Sequence, residues 1–156
     1  MSDVTVSAAG RDDIDAVVES VAGLFREDAG VHDPTVNVDW PALEGADNYA
    51  ALVGDDSCLL TVARDGDRVV GHLVGKLAQP DSFRRQRIAV LESIRVHPDA
   101  RDAGVGTLLV RHFLDWAREQ EAAQASVSAY AANEAALRFY ARQGFAPMTN
   151  TLRTVL

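Results

Sequence analysis

The sequence predicts an α/β fold built on one mixed β-sheet. Three observations carry that reading. Runs rich in β-branched residues alternate with segments of helical apolar spacing, in the order β-α-α-β-β-β-α-β-α-β-β. Asp65-Gly66 stands between two such β-rich runs, a strong hairpin signal. The length of 156 residues fits one domain with a real core, so residues 1–156 are read as a single domain.

Taken in order, Val4-Thr5-Val6 reads as a short first strand. Ile14, Val17, Val18, Val21 and Phe25 then fall at helical spacing, with Asp12 and Asp13 near the positive end of the helix. Residues Glu27 to Asp56 hold many acids and no Lys or Arg, are broken by Pro34 and Pro41, and contain a short helix within Ala46–Val53. Cys58–Ala63 and Arg68–Leu77 form the hairpin strands, and Gln86–Val96 is the most strand-like segment present. A helix over 104–121 follows, with Val105, Leu108, Leu109, His112, Phe113 and Trp116 on its periodic stripe. A strand over 125–131, a helix over 133–142 stopped by Gly144, and one or two final strands within 145–156 complete the pattern.

Composition narrows the class. A chain 47% hydrophobic and 24% charged reads as soluble and globular. The net charge of −8 argues against a nucleic-acid binder, whose affinity needs Lys and Arg against phosphate, and favours a cationic partner. No apolar run approaches a membrane span and the N-terminus lacks a secretory pattern, so the expected location is cytoplasmic, with no membrane partner. Cys58 is the sole cysteine, which leaves no intrachain disulfide or cysteine-cluster metal site.

Three segments carry candidate chemistry. On strand alternation Ile88, Val90, Glu92, Ile94 and Val96 share one face, and four of the five are β-branched. A carboxylate there must be paired, be turned aside by a bulge, or stand at a cleft mouth with a raised pKa suited to a general base. Arg101-Asp102-Ala103-Gly104-Val105-Gly106 offers glycines and a helix N-terminus to an anion, although no Gly-Lys-Ser/Thr follows and Leu109 stands where a dinucleotide fingerprint needs glycine. Its other reading is a glycine-softened loop. In the third segment Asn133 is a good N-cap, and Tyr140 is either a core aromatic or a phenolic proton donor.

In this order and spacing the three segments resemble the GNAT superfamily of acetyl-CoA-dependent N-acetyltransferases. The match runs from about Leu91 to Phe145: the strand LESIRVHP, the Arg/Gln-x-x-Gly-x-Gly/Ala motif at 101–106, and the Asn133…Tyr140…Gly144-Phe145 signature. One departure is that Asp102 and Ala103 fill places where many members carry glycine and a basic residue, and an acid beside a pyrophosphate is unhelpful unless it points away.

The resemblance implies a mixed, mostly antiparallel sheet of six to seven strands with about four helices, and a V-shaped splay between the strands near 86–97 and 125–131. It implies acetyl-CoA as co-substrate and no metal. Pantetheine would bond the backbone of Ile94 and Val96 like an added strand, and the pyrophosphate would rest on amides of Arg101, Asp102, Ala103, Gly104, Val105, Gly106 and Thr107. Asn133 would help hold the pantetheine arm. Glu92 would take the proton of a primary amine, directly or through water, and Tyr140 would protonate the leaving thiolate. No covalent intermediate is needed, because the amine attacks directly in a ternary complex.

The acidic stretch lies where such proteins usually build the acceptor side, so Asp28 and Asp33 are candidates to hold a small cationic amine; a solvated acidic loop is the plainer alternative. Two further readings stay open: a protein or peptide N-acetyltransferase, and an acetyl-CoA-binding regulatory domain without turnover. The resemblance also allows a homodimer through C-terminal strands.

Overall fold

Residues 3–156 are described by a computed structural model. Four strands lie side by side in chain order and antiparallel: β1 (Val4–Ala8), β2 (Cys58–Asp65), β3 (Arg68–Ala78) and β4 (Ile88–Val96). A fifth, β5 (Gln124–Val127), joins the outer side of β4 in parallel. The Asp65-Gly66 signal marks the β2–β3 turn: Asp65 pairs with Arg68, and Gly66 sits at φ +60, the position a type II′ turn reserves for glycine.

Four helices cover the two faces: α1 (Ile14–Leu24), α2 (Ala46–Ala50), α3 (Val105–Glu119) and α4 (Glu134–Arg142). Of the stripe foreseen for α3, Val105, Leu109, Phe113 and Trp116 pack, with Val110 beside them, against Leu73, Ala89 and Leu91, while Leu108 is left exposed. On the other face Ile14, Val17 and Val21 of α1 meet Leu60, Val62 and Val74, with Tyr49 of α2 beside them. Asp13 starts α1 by accepting the Gly10 amide at 2.8 Å and ties it to β2 through Arg64 at 2.6 Å. Between α1 and α2 the chain runs through a widened helical turn (Phe25–Ala29), a further turn at Gly30–His32 and a second widened turn (Pro41–Gly45).

Two expectations need correction. The sheet has five strands among the described residues, not six or seven, and residues 145–156 contribute none. A strand exists only where a neighbour takes its main-chain groups, and residues 146–156 remain exposed, tethered through Arg153 to Asp33 at 2.8 Å. The run foreseen over 125–131 pairs only through Val127, opposite Leu91. Beyond that pair the two strands part, as the splay requires, and β4 bulges at the next residue. No helix among the described residues is long and apolar enough to cross a membrane.

Candidate active site

The bulge decides where Glu92 points. Val74 of β3 pairs with Ser93, but the next residue, Gly75, pairs with Leu91, so Glu92 is the extra residue on β4. Leu91 and Ile94 therefore both pack on the α3 side although three residues apart, while Ser93 faces α1 and bonds the buried His72 at 2.6 Å. This overturns the shared face read from simple alternation. Glu92 is not walled in by aliphatics: its side chain is 41% exposed and meets Lys76 of β3 at 3.2 Å. Its charge also reaches Tyr49 on the α1 side, whose hydroxyl is pushed up to about 12, mainly by burial.

Past the bulge, main-chain direction becomes useful. The His97 amide donates to Val70 of β3 at 2.7 Å, so by alternation Ser93 and Arg95 also turn their main chain to β3. Ile94 and Val96 then aim theirs into the opening that β5 has left. At the end of that opening lies the turn from Arg101 to Thr107. Gly104 caps α3 in the left-handed region at φ +83, with no side-chain cap. The amides of Val105, Gly106 and Thr107 open the helix and have no partner within it, which suits an anion. Asp102 also takes a left-handed conformation, φ +62, uncommon outside glycine. Arg101, Asp102, Ala103 and Gly104 are all exposed. Thr107 accepts a bond from Gln143 at 3.0 Å, which braces the turn against the end of α4.

Asn133 and Tyr140 form the opposite wall. The Asn133 carbonyl oxygen accepts the Ala136 amide at 3.1 Å, capping α4, while its amide nitrogen donates to Asp28 at 2.9 Å. Tyr140 packs edge-on against Phe139 and Phe145, and its hydroxyl is pushed up to about 12, first by burial and then by the Asp28 charge. A phenol at that value is fully protonated at neutral pH, as a donor must be. Outright transfer to a thiolate near about 8.5 would run uphill, so donation needs the Asp28 charge offset or the proton shared in a hydrogen bond.

Asp28 also lies 3.5 Å from His32, whose ring packs 5.3 Å from that of Tyr130. Asp33 is buried; one oxygen holds Thr35 and the other takes Arg153 at 2.8 Å, and bonds from Thr35 hold its carboxyl below the usual range. Asp28 is thus tied to the α4 wall and Asp33 to the C-terminal segment, and both already have partners.

Sequence reading passed over Glu27. Its carboxylate takes Arg95 at 2.8 Å and Arg101 at 2.8 Å through different oxygens, and the Arg95 bond leads in holding its pKa below the usual range. The only local signal was an acid in a stretch without bases; the two arginines lie 68 and 74 residues away.

The model of the acetyltransferase (GNAT) family matches residues 19–145. The chain belongs to that family. GNAT proteins take acetyl-CoA as co-substrate, and the opening and the helix start fit such a ligand. Along 127 residues the chain is 33% identical to a streptothricin acetyltransferase of Streptomyces lavendulae, a match spanning 80% of this chain and 64% of that protein. In fold it is similar to a transcriptional regulator from Bacillus halodurans C-125, with TM-score 0.81, 24% identity, and 99% and 100% of the two chains covered. It is also similar to an aminoglycoside acetyltransferase from an uncultured soil metagenomic sample, with TM-score 0.73, 15% identity, and 98% and 96% covered.

Proposed function

We propose that the chain acts as one cytoplasmic N-acetyltransferase domain, moving an acetyl group from acetyl-CoA to a primary amine of a small cationic acceptor. The observation that carries this reading is the opening between β4 and β5, where the main chain of Ile94 and Val96 turns away from β3 toward a gap ending at the bare start of α3, with the Val96 carbonyl held by Arg101. Pantetheine fits there as an added strand, and the Arg101–Thr107 turn meets the pyrophosphate. Glu92 accepts the amine proton, directly or through water, with Lys76 beside it as the group that the incoming ammonium would displace or share. Tyr140 donates to the departing sulfur from the α4 wall.

A cationic acceptor is supported by the net charge of −8 and by Asp28 and Asp33, whose charges both reach Tyr130. The names of the streptothricin and aminoglycoside acetyltransferases agree with a small-molecule amine. A homodimer would cover the outer edge of β5 and the exposed Met148, Leu152 and Val155; light scattering reads the mass directly.

The test is thiol release from acetyl-CoA across simple amines, polyamines, aminoglycosides and peptides. Turnover confined to cationic small amines is expected. Turnover on peptides alone would transfer the reading to a peptide N-acetyltransferase, and coenzyme binding with no turnover on any amine would make the chain a regulatory domain.

A further inference from the structure

The widened turn Phe25–Ala29 places two consecutive carboxylates against the two walls of the opening. Neighbouring residues on a helical turn point in clearly different directions, so one short segment can reach both ways. Glu27 reaches the β4 wall, where it holds Arg95 and Arg101. Asp28 reaches the α4 wall, where it accepts from Asn133.

The β4 contact is built in depth. Arg95 is only 10% exposed and crosses beneath α1 at Gly23, where a Cβ would lie 2.6 Å from Arg95 Nη2. Any side chain at Gly23 would push the guanidinium off its path to Glu27, one helical turn further on. Arg101 is fixed at two points: Nε donates to the Val96 carbonyl at 2.9 Å and Nη2 to Glu27 at 2.8 Å. Its Nη1 has no partner among the described residues and stands at the turn that begins the α3 anion site. A guanidinium held on two edges presents the third without further loss of rotamer freedom, the usual advantage of a preorganised donor.

We propose that Glu27 and Asp28 form a clip across the opening, and that Glu27 is a positioning residue that orients Arg101 toward the coenzyme A pyrophosphate. The proposal rests on the acetyltransferase reading above. It recasts part of the acidic stretch: these two acids organise the cofactor walls from the acceptor side.

Electrostatics alone predicts the opposite sign. Removing a carboxylate near a polyanion should strengthen binding; removing a positioning group should weaken it. Coenzyme A binding to the full chain, measured by titration calorimetry, separates the two. Glu27→Ala is expected to weaken coenzyme A about tenfold, within the range seen when a supporting partner is lost. In an Arg101→Ala background the same change should fall below about twofold, because the double-mutant cycle isolates the coupling. Gly23→Ala, which alters no charge, should also weaken binding by displacing Arg95. Thermal melting checks folding, and Glu27→Gln supplies a milder variant if Glu27→Ala unfolds. Equal or tighter binding by folded Glu27 variants overturns the clip, as does an equal loss in the Arg101→Ala background. A wild-type chain that takes up no coenzyme A overturns the acetyltransferase reading itself.

Discussion

The two faces of the sheet are built from different chemistry. Against α3 the interface is apolar: Leu73, Leu91, Leu109, Val110 and Phe113 are buried with no polar partner among them. Against α1 an apolar patch of Val17, Val21, Val62 and Val74 lies beside polar groups out of water. There His72 is fully buried between the hydroxyls of Ser20 and Ser93, each at 2.6 Å, and Arg95 runs beneath the helix to Glu27. Apolar packing is non-directional and holds the sheet together by area and volume. Polar contacts are directional, and they set where Glu27, Arg95 and Arg101 sit. One face supplies stability; the other supplies geometry.

The largest effect should come from the apolar face. Phe113→Ala empties a fully buried ring site and is expected to destabilise the chain by about 3–5 kcal/mol in urea denaturation. Coenzyme A affinity of the remaining folded protein should stay unchanged. A large affinity loss with little loss of stability would erase the division of labour.

Tyr140 straddles the two regions, packed at the margin of the α3 core yet sensing the Asp28 charge. As a proton donor, Tyr140→Phe should lower turnover by about 10- to 100-fold while coenzyme A affinity moves less than about twofold. Unchanged turnover would assign Tyr140 to packing alone.

His72 tests the polar face through pH. Burial, with a smaller push from Arg95, lowers its pKa to about 3 from an ordinary 6.5. Between those values the unfolded chain binds a proton that the folded chain refuses, so this contribution is complete above pH 6.5 and is lost as pH falls toward 3. The slope should approach about 1.4 kcal/mol per pH unit below 6.5. His72→Gln should flatten chemical-denaturation stability between pH 6.5 and 5. An equally steep decline in the variant would place the acid sensitivity elsewhere.

Asp102 should give the smallest change. Asp102→Gly relieves a left-handed non-glycine residue and removes a negative charge from the turn. Stability is expected to shift by no more than about 1 kcal/mol, since relief of strain is offset by the freer unfolded chain. Coenzyme A should bind a few-fold more tightly; weaker binding would give the Asp102 carboxylate a positive role.

Much of the frame was legible because it rests on local patterning. Helix α3 declared itself through Leu109, Phe113 and Trp116 on one stripe, and the β2–β3 turn through Asp65-Gly66. The Arg101–Gly106 turn was legible for the same reason: Gly104 at φ +83 is a local backbone requirement. The orientation of Glu92 was not, because a bulge changes side-chain parity without a reliable mark in the strand itself. The final strands were overread because a segment forms a strand only where a neighbouring strand takes its main-chain groups, and none does so at 145–156.

By itself, then, the sequence determined the order of elements as far as α4, the two amphipathic helix faces and the segments that mark the family, all encoded within windows shorter than a helix. Only tertiary structure decided that Glu92 pairs with Lys76, that His72 is sealed between two serines, and that Glu27 and Asp28 bridge opposite walls. Those contacts join residues from different elements of the chain, and no local periodicity records which distant partner a charged side chain will meet.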